Sequence, residues 1–345
     1  MRGRLQVDLG ALATNFRAYS TLVQGSTGAV VKANAYGLGV ERVSKALFSI
    51  GCDTFFVAIV EEGKQLRKVL PEARILVFEG VVPGSVDDLM AANLIPVVNN
   101  FNQLSMLETG WSGSIAIHMD TGIGRLGFGP GINRRDFDAY TIEMILTHLA
   151  CADDPNHPQN KDQIERFQKI TNNFPGIPTS IGNSEGILLG PEFIGNIGRP
   201  GIGLYGRGSS SDDSDIMEVA SLSGMVLQVE HYGSGASLGY GSSYIAEKPI
   251  KVATVGIGYA DGVPRSLSNC GVVSIAGERC PIVGFVSMDL TLVDVTGLVV
   301  KPGDWAEFFG PQVALAEFAD KARMLDYEVL TGIGERVERI YVEGE

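Results

Sequence analysis

Lysine, histidine, arginine and serine side chains can bind anions, move protons or attack carbon, provided a fold gathers them in one place. Lys32 is the first candidate, in the stretch VVKANAYGLG at 30–39. Gly28, Ala29, Val30 and Val31 read as a short buried strand. Lys32 stands at its C-terminal end, and a polar, glycine-punctuated loop follows. A lysine in such a place is ordinarily a surface lysine, because lysines are rarely buried. Its role depends on what the rest of the chain builds around it.

Two motifs suggest other chemistries and fail on context. GIGRLG at 122–127 fits the GxGxxG pattern of a dinucleotide site and follows a strand. The residues after it, FGPGINRR, do not open a helix, and Pro130 stands early, so the helix that would face a pyrophosphate is missing. GNSEG at 182–186 fits the GxSxG nucleophile elbow. That chemistry needs an acid and then a histidine downstream, and the one downstream histidine, His231, lies in a polar β segment. His118, His148 and His157 show no HExxH spacing, so no catalytic metal is expected. Cys52, Cys151, Cys270 and Cys280 lack a CxxC pair and read as free thiols of a reducing compartment.

The elements that must position these side chains fall into two textures. Candidate strands at 28–32, 54–60, 74–80, 95–99, 114–120, 143–148, 177–182 and 202–205 alternate with amphipathic segments such as ERVSKALFSI, VEEGKQLRKVL and QNKDQIERFQKITNNF. Alternation implies parallel pairing with right-handed crossovers. Eight strands in about 200 residues fit a (β/α)8 TIM barrel. After the acidic connector GSSSDDSDI at 208–216 the chain turns β-rich, with one short helix, QVALAEFADKARML, at 312–325. The fold class expected is therefore α/β, a barrel over 1–215 followed by a mainly β domain over 216–345, with the first few residues candidates to pair with the second domain. A barrel carries its site at the C-terminal ends of its strands. Lys32, Asp120, Arg125, Thr147, His148, Asn183, Ser184 and Arg199 all fall there, which lifts Lys32 above an ordinary surface lysine.

The 345 residues, 45% of them hydrophobic, can bury a large core, and a net charge of −13 argues against nucleic acid and anionic membrane as partners. The N-terminal MRGRLQVDLGALATNF has no long apolar stretch of a secretory signal, and no run of about 18 apolar residues suggests a membrane span. A cytoplasmic protein is expected.

Seven phrases occur in order: VVKANAYGLG, HMDTGIGRLGF, LTHLACADDPNHPQN, GNSEG, RPGIGLYG, GYADGVPRSLS and CPIVGFVSMDLT. Together they resemble alanine racemase, a fold type III family that uses pyridoxal 5'-phosphate (PLP), and the resemblance runs from residue 5 to about 341. It implies an isomerase that interconverts L-alanine and D-alanine by a two-base mechanism and supplies D-alanine for peptidoglycan. It also implies a head-to-tail homodimer with shared active sites. Under this resemblance Lys32 forms the Schiff base with the PLP aldehyde and serves as one base. Tyr259, reaching the partner's barrel, is the other. A free tyrosine has a pKa of roughly 10, so positive neighbours must lower it. Tyr36, Ser184 and the backbone N–H groups of Gly201 and Ile202 match the phosphate cradle. Arg199 matches the arginine facing the pyridine nitrogen, with His148 linking it to Tyr259. Arg125 and the N–H of Met288 match the contacts to the substrate carboxylate. Asp289 reads as an acid behind them, and Tyr240 and Tyr244 as residues that narrow the entrance.

In three places the chain departs from the family pattern. Many members carry a lysine, carbamylated in some, where this chain has His118, and that lysine helps hold the arginine matching Arg125. Phe285 stands where an arginine is usual. GIGERVERIY at 332–341 lacks a tyrosine that some members place on the phosphate. Two other functions compete with the first: a racemase of another or broader amino-acid range, and a non-catalytic PLP-binding barrel protein. Relatives of the latter kind consist of the barrel alone, so the β domain carrying Tyr259 argues against it.

Overall fold

The computed structural model describes residues 2–108, 110–206 and 216–343. The acidic connector expected at 208–216 lies, but for Ile216, outside the described residues. The chain divides into two compact units. One comprises Met1–Gly10 with Glu218–Glu345, the other Ala11–Met217.

The first strand, β1 (Gly3–Asp8), belongs to the discontinuous unit. The unit of 11–217 holds β2 (Ser26–Thr27), β3 (Ala29–Val30), β4 (Thr54–Val57), β5 (Arg74–Val77), β6 (Ile95–Val98), β7 (Ser114–His118), β8 (Thr141–Leu146), β9 (Thr179–Ser180) and β10 (Ile197–Gly198). Strands β3 to β9 pair in sequence order, all parallel. The ring then closes. Asn196 N–H reaches Thr179 O at 2.8 Å and Arg199 N–H reaches Gly182 O at 2.8 Å, while Gly28 N–H reaches Gly198 O at 2.9 Å and Val30 N–H reaches Pro200 O at 3.0 Å. One inward-facing layer of side chains confirms the closure: Val30, Phe56, Leu76, Val97, Ala116, Met144 and Ile197 come from seven different strands and form one buried cluster. Strand β4, TFFV, is buried on both faces, as a parallel barrel strand covered by helices must be.

The helices lie close to where the periodicity puts them, at Val40–Ser49, Val60–Val69, Val86–Ala91, Phe101–Met106 and Pro158–Thr171. The eighth strand does not. IGLY at 202–205 is a 3-10 helix, Ile202–Tyr205, and the strand is Ile197–Gly198, five residues earlier. The strand is only two residues long because Pro200 has no N–H to continue a ladder. The apolar character of IGLY reflects helix burial, with Leu204 and Tyr205 at 0% and 1% exposure.

The second unit is a largely antiparallel sheet of eight strands: β1, β11 (Ala220–Tyr232), β14 (Ile250–Val255), β15 (Val272–Ile275), β16 (Glu278–Pro281), β17 (Thr291–Asp294), β18 (Trp305–Phe309) and β19 (Glu338–Val342), with β12 (Ser237–Leu238) and β13 (Tyr244–Ile245) as a separate hairpin. Strand β1 lies between β11, antiparallel, and β19, parallel. The helix expected at 312–325 is Leu315–Ala322, ended by Arg323 at φ 56°, and a second short helix, Asp326–Thr331, follows beyond that range.

Candidate active site

Lys32 follows β3 by two residues and opens a turn, Lys32–Tyr36, instead of ending a strand. Ala33, Asn34, Ala35 and Tyr36 have φ of 52°, 55°, 54° and 54°. Successive L-residues in this left-handed region cost roughly 1–2 kcal/mol each, so other contacts must hold them. Ala35 N–H bonds Val31 O at 2.9 Å, Gly37 N–H bonds Ala33 O at 2.8 Å, and Val40 N–H bonds Asn34 Oδ1 at 2.8 Å. Glu62, in the first turn of helix Val60–Val69, accepts from Ala33 N–H and from Ala58 N–H, each at 2.7 Å. One carboxylate thereby ties the Lys32 turn to the end of β4. Burial holds the Lys32 amine below the ordinary lysine pKa, the Arg125 charge adds to this, and Glu62 opposes it.

Arg125 projects from the loop after β7 and is exposed. Asp120 organises that loop: its carboxylate accepts from the N–H groups of Gly122 at 2.9 Å, Ile123 at 3.0 Å and Gly124 at 3.1 Å. Burial raises the Asp120 pKa, and these three donors more than reverse it, so the net displacement is downward. From helix Pro158–Thr171, Arg166 Nη1 bonds Thr121 O at 2.9 Å and Gln159 Nε2 bonds Gly122 O at 2.6 Å. Gln163 adds bonds to Thr121 Oγ1 at 3.1 Å and to His148 O at 2.9 Å.

Arg199 follows β10 and is 3% exposed. Its guanidinium donates to neutral oxygens: Ser180 Oγ at 2.5 Å, Thr147 O at 2.6 Å and Ile181 O at 3.2 Å. Burial lowers its pKa to about 10. His148, next to Thr147, is pushed down to about 3 by burial and then by the charges of Arg199, Arg125, His118 and Lys32. His118 ends β7, is 6% exposed, and is held down to about 4 by burial, Arg199 and Arg125.

Around the 3-10 helix Ser184, the Gly201 backbone and Tyr36 come together. Ser184 Oγ accepts from Gly201 N–H at 2.9 Å and Gly203 N–H at 3.0 Å. Ile202 opens the 3-10 helix, where an N–H has no partner from its own helix. A Cβ on Gly201 would lie 2.5 Å from Tyr36 Oη, so only glycine lets Tyr36 approach this backbone. Tyr36 packs on Tyr205 with ring centroids 4.8 Å apart, and Tyr205 Oη bonds Val30 O at 2.8 Å.

In the other unit Tyr259 opens the 3-10 turn Tyr259–Asp261 and is 45% exposed. Its N–H bonds Ser287 O at 3.0 Å, and Ala260 N–H bonds Met288 O at 3.0 Å, so Tyr259 and Met288 lie side by side. Asp261 and Asp289 share Arg336, whose Nε lies 3.0 Å from Asp261 Oδ1 and whose Nη1 lies 2.8 Å from Asp289 Oδ1. Arg2 also pairs with Asp289, at 3.2 Å. Phe285 carries the Arg265 guanidinium over its ring at 4.8 Å. Tyr240 is 74% exposed, and Tyr244 is partly buried.

Glu62, Asn99, Asp261 and Arg336 were not singled out from the sequence. Each acts through backbone N–H groups or through a partner 19 to 75 residues away, and nothing in a local motif marks such a contact.

A barrel with a lysine at the mouth of its first strand, carried on the same chain as a β unit with an exposed tyrosine, is the architecture of barrel-type cofactor-dependent amino-acid enzymes. Residues 7–208 match the family model "Alanine racemase, N-terminal domain" and residues 219–341 match "Alanine racemase, C-terminal domain". The chain belongs to the alanine racemase family. It is 39% identical to the alanine racemase of Rhodospirillum rubrum, over 98% of this chain and 95% of the relative. It is 38% identical to a catabolic alanine racemase of Agrobacterium fabrum, over 99% and 92%. Among solved structures, alanine racemase from Bartonella henselae, which holds covalently bound pyridoxal phosphate, superposes with a TM-score of 0.92 at 34% identity, covering 99% of this chain and all of that one.

Proposed function

We propose that this protein interconverts L-alanine and D-alanine with pyridoxal 5'-phosphate as cofactor. The observation that carries the reading is Lys32: a half-buried amine of lowered basicity at a barrel mouth, beside Arg125, in a chain of this family. A neutral amine is what a lysine nucleophile or base requires.

The residues fit the cofactor. The cradle that a Gly201 Cβ would fill, lined by Tyr36 Oη and the Ser184 hydroxyl, suits a phosphate approached by backbone N–H groups, including that of Ile202. Lys32 would hold the aldehyde carbon. Arg199 is held by neutral oxygens, keeps its positive charge, and would face the ring nitrogen. The bound cofactor supplies electron withdrawal from Cα, which acidifies the α-proton. Because a guanidinium does not surrender its proton, Arg199 would leave the ring nitrogen unprotonated and moderate that withdrawal, which would disfavour transamination.

In this reading the Lys32 amine takes or returns the α-proton on one face and the Tyr259 phenol on the other. Arg125 orients the substrate carboxylate through its fork of N–H donors, with the Met288 N–H as a second contact. His148, uncharged at neutral pH, lies beside Arg199 in the chain of groups that leads toward Tyr259. The division into a PLP-binding barrel and a β domain, a head-to-tail homodimer in which Tyr259 serves the partner's barrel, a cytoplasmic location and the supply of D-alanine to peptidoglycan belong to the same proposal. The chain is equally similar, at 38% identity, to a relative named catabolic and to one named biosynthetic, so a catabolic role is the second physiological reading. A D-alanine-requiring host rescued by this gene supports the biosynthetic role; induction by alanine without such rescue supports the other. The decisive test is a panel of L- and D-amino acids assayed for conversion to the opposite enantiomer. Alanine should be converted in both directions. A cofactor-loaded enzyme that leaves alanine unchanged refutes the reading.

A further inference from the structure

The amide of Asn99, which follows β6, lies against the imidazole of His118. Asn99 Nδ2 lies 2.8 Å from Val97 O, 3.1 Å from Phe78 O and 3.3 Å from Glu79 O. Carbonyl oxygens only accept hydrogen bonds, so this end of the amide is the NH2 group. The opposite end, Oδ1, lies 2.8 Å from His118 Nδ1. An amide oxygen cannot donate, so the proton sits on Nδ1. Gln103 braces the arrangement: its Oε1 accepts from Asn99 N–H at 2.8 Å and its Nε2 donates to Glu79 O at 2.6 Å.

His118 Nε2 is then left. It is buried and has no hydrogen-bond partner. The positive charges of Arg199 and Arg125 act on the ring, Asp120 opposes them, and His148 is itself uncharged. Burial and the two guanidinium groups keep the imidazole neutral at pH 7, so Nε2 presents a lone pair. A buried acceptor among cations calls for a donor. Arg199 gives three of its five N–H hydrogens to Ser180, Thr147 and Ile181. Arg125 makes no hydrogen bond among the described residues.

We infer that His118 is a tautomer-locked neutral acceptor whose Nε2 receives an N–H of Arg125 and so aims that guanidinium at the substrate carboxylate. His118 is a positioning residue, acting through Arg125. The inference rests on the proposed function for the substrate, while the tautomer stands on its own.

The test follows both. Holoenzyme labelled with 15N in its four histidines gives imidazole nitrogen signals at pH 7. His118 should show a protonated Nδ1 and a hydrogen-bonded, unprotonated Nε2. Arg125→Ala should move the Nε2 signal to that of an unbonded nitrogen and leave Nδ1 in place, whereas Asn99→Ala should release the tautomer lock. A proton on Nε2 at pH 7, or an Nε2 signal indifferent to Arg125→Ala because Arg199, water or cofactor is its donor, overturns the inference. Kinetics read the consequence. His118→Leu should raise KM for alanine roughly ten- to hundredfold, the worth of one hydrogen bond to a charged group. His118→Gln, which retains an acceptor oxygen, should recover most of it. A His118→Leu enzyme that melts earlier but keeps its KM has lost only structure, and the positioning role fails. Absence of racemase activity in the unmodified enzyme would refute the function and leave the nitrogen signals to decide the tautomer.

Discussion

Removing the Glu62 carboxylate tests how the Lys32 turn is held. In Glu62→Ala the N–H groups of Ala33 and Ala58 lose their acceptor, each now at 2.7 Å. A hydrogen bond to a charged group contributes about 1.5–3 kcal/mol. Ala33 is exposed, so water replaces part of its bond, and the pair together contributes about 3 kcal/mol to keeping the turn closed. Loss of that amount speeds local opening roughly 100-fold, at tenfold per 1.4 kcal/mol. Hydrogen exchange followed by mass spectrometry over residues 30–40 reads it directly. Glu62→Gln, with one acceptor oxygen in place of two, should give about half the free-energy loss. The carboxylate also supports the charged form of Lys32, against burial and Arg125. Without it the amine should become free at lower pH, seen as an acid-shifted profile for cyanate modification of Lys32 in the apoprotein. Exchange in Glu62→Ala accelerated by less than about threefold would refute the clamp.

Gly201→Ala places a Cβ 2.5 Å from Tyr36 Oη, and the Tyr36 ring is backed by Tyr205, so it cannot retreat freely. Overpacking of this kind costs about 1–3 kcal/mol, and PLP affinity measured by titration of the apoprotein should fall roughly tenfold or more; unchanged affinity removes Tyr36 and Gly201 from the cradle. His118 and His148 titrate near 4 and 3 in the fold against an ordinary 6.5. Between those values the unfolded chain binds protons that the folded barrel does not, so the contribution of these histidines to stability is flat above pH 7 and falls as pH drops through 6.5 toward 4. His118 alone accounts for about 3 kcal/mol at the acid end, and urea unfolding at pH 7.5 and 4.5 should show a smaller difference in His118→Gln; an equal difference refutes the assignment. Lys32→Ala and Tyr259→Phe homodimers should each be nearly inactive. In the proposed shared-site dimer, co-expression regenerates one intact site in each mixed pair and about a quarter of the activity; tag-verified mixed dimers without activity exclude shared sites.

The barrel was legible because parallel strands buried on both faces are written as continuous apolar runs separated by amphipathic helices. Its last strand was not. Ile197–Gly198 is two residues long and its ladder is completed by loop atoms, while the more apolar IGLY nearby buries itself as a helix. Lys32 could be placed at the barrel mouth from the run that precedes it, but the left-handed turn it opens could not be foreseen, since Ala33, Ala35 and Tyr36 are residues that seldom adopt φ near 54°. The cause is tertiary: Glu62 from another segment holds the turn. Likewise His118 could be named as a departure from the family pattern, whereas its tautomer follows from Asn99, whose amide is oriented by carbonyls of two strand ends.

The position of β1 sets an order of events during synthesis. Its partners are β11, from residue 220, and β19, from residue 338. Residues 3–8 therefore emerge from the ribosome with no ladder to join, and the whole segment 11–217 follows before β11 exists. That segment can collapse into its own closed ring meanwhile, because every strand of it pairs within it. The β sheet must wait, and β19 can enter beside β1 only after residue 342 has been made. A ribosome stalled near residue 330 would then carry a protease-resistant barrel and a protease-sensitive β segment, which makes the sheet, not the barrel, the part whose assembly chaperones and mutations have most time to influence.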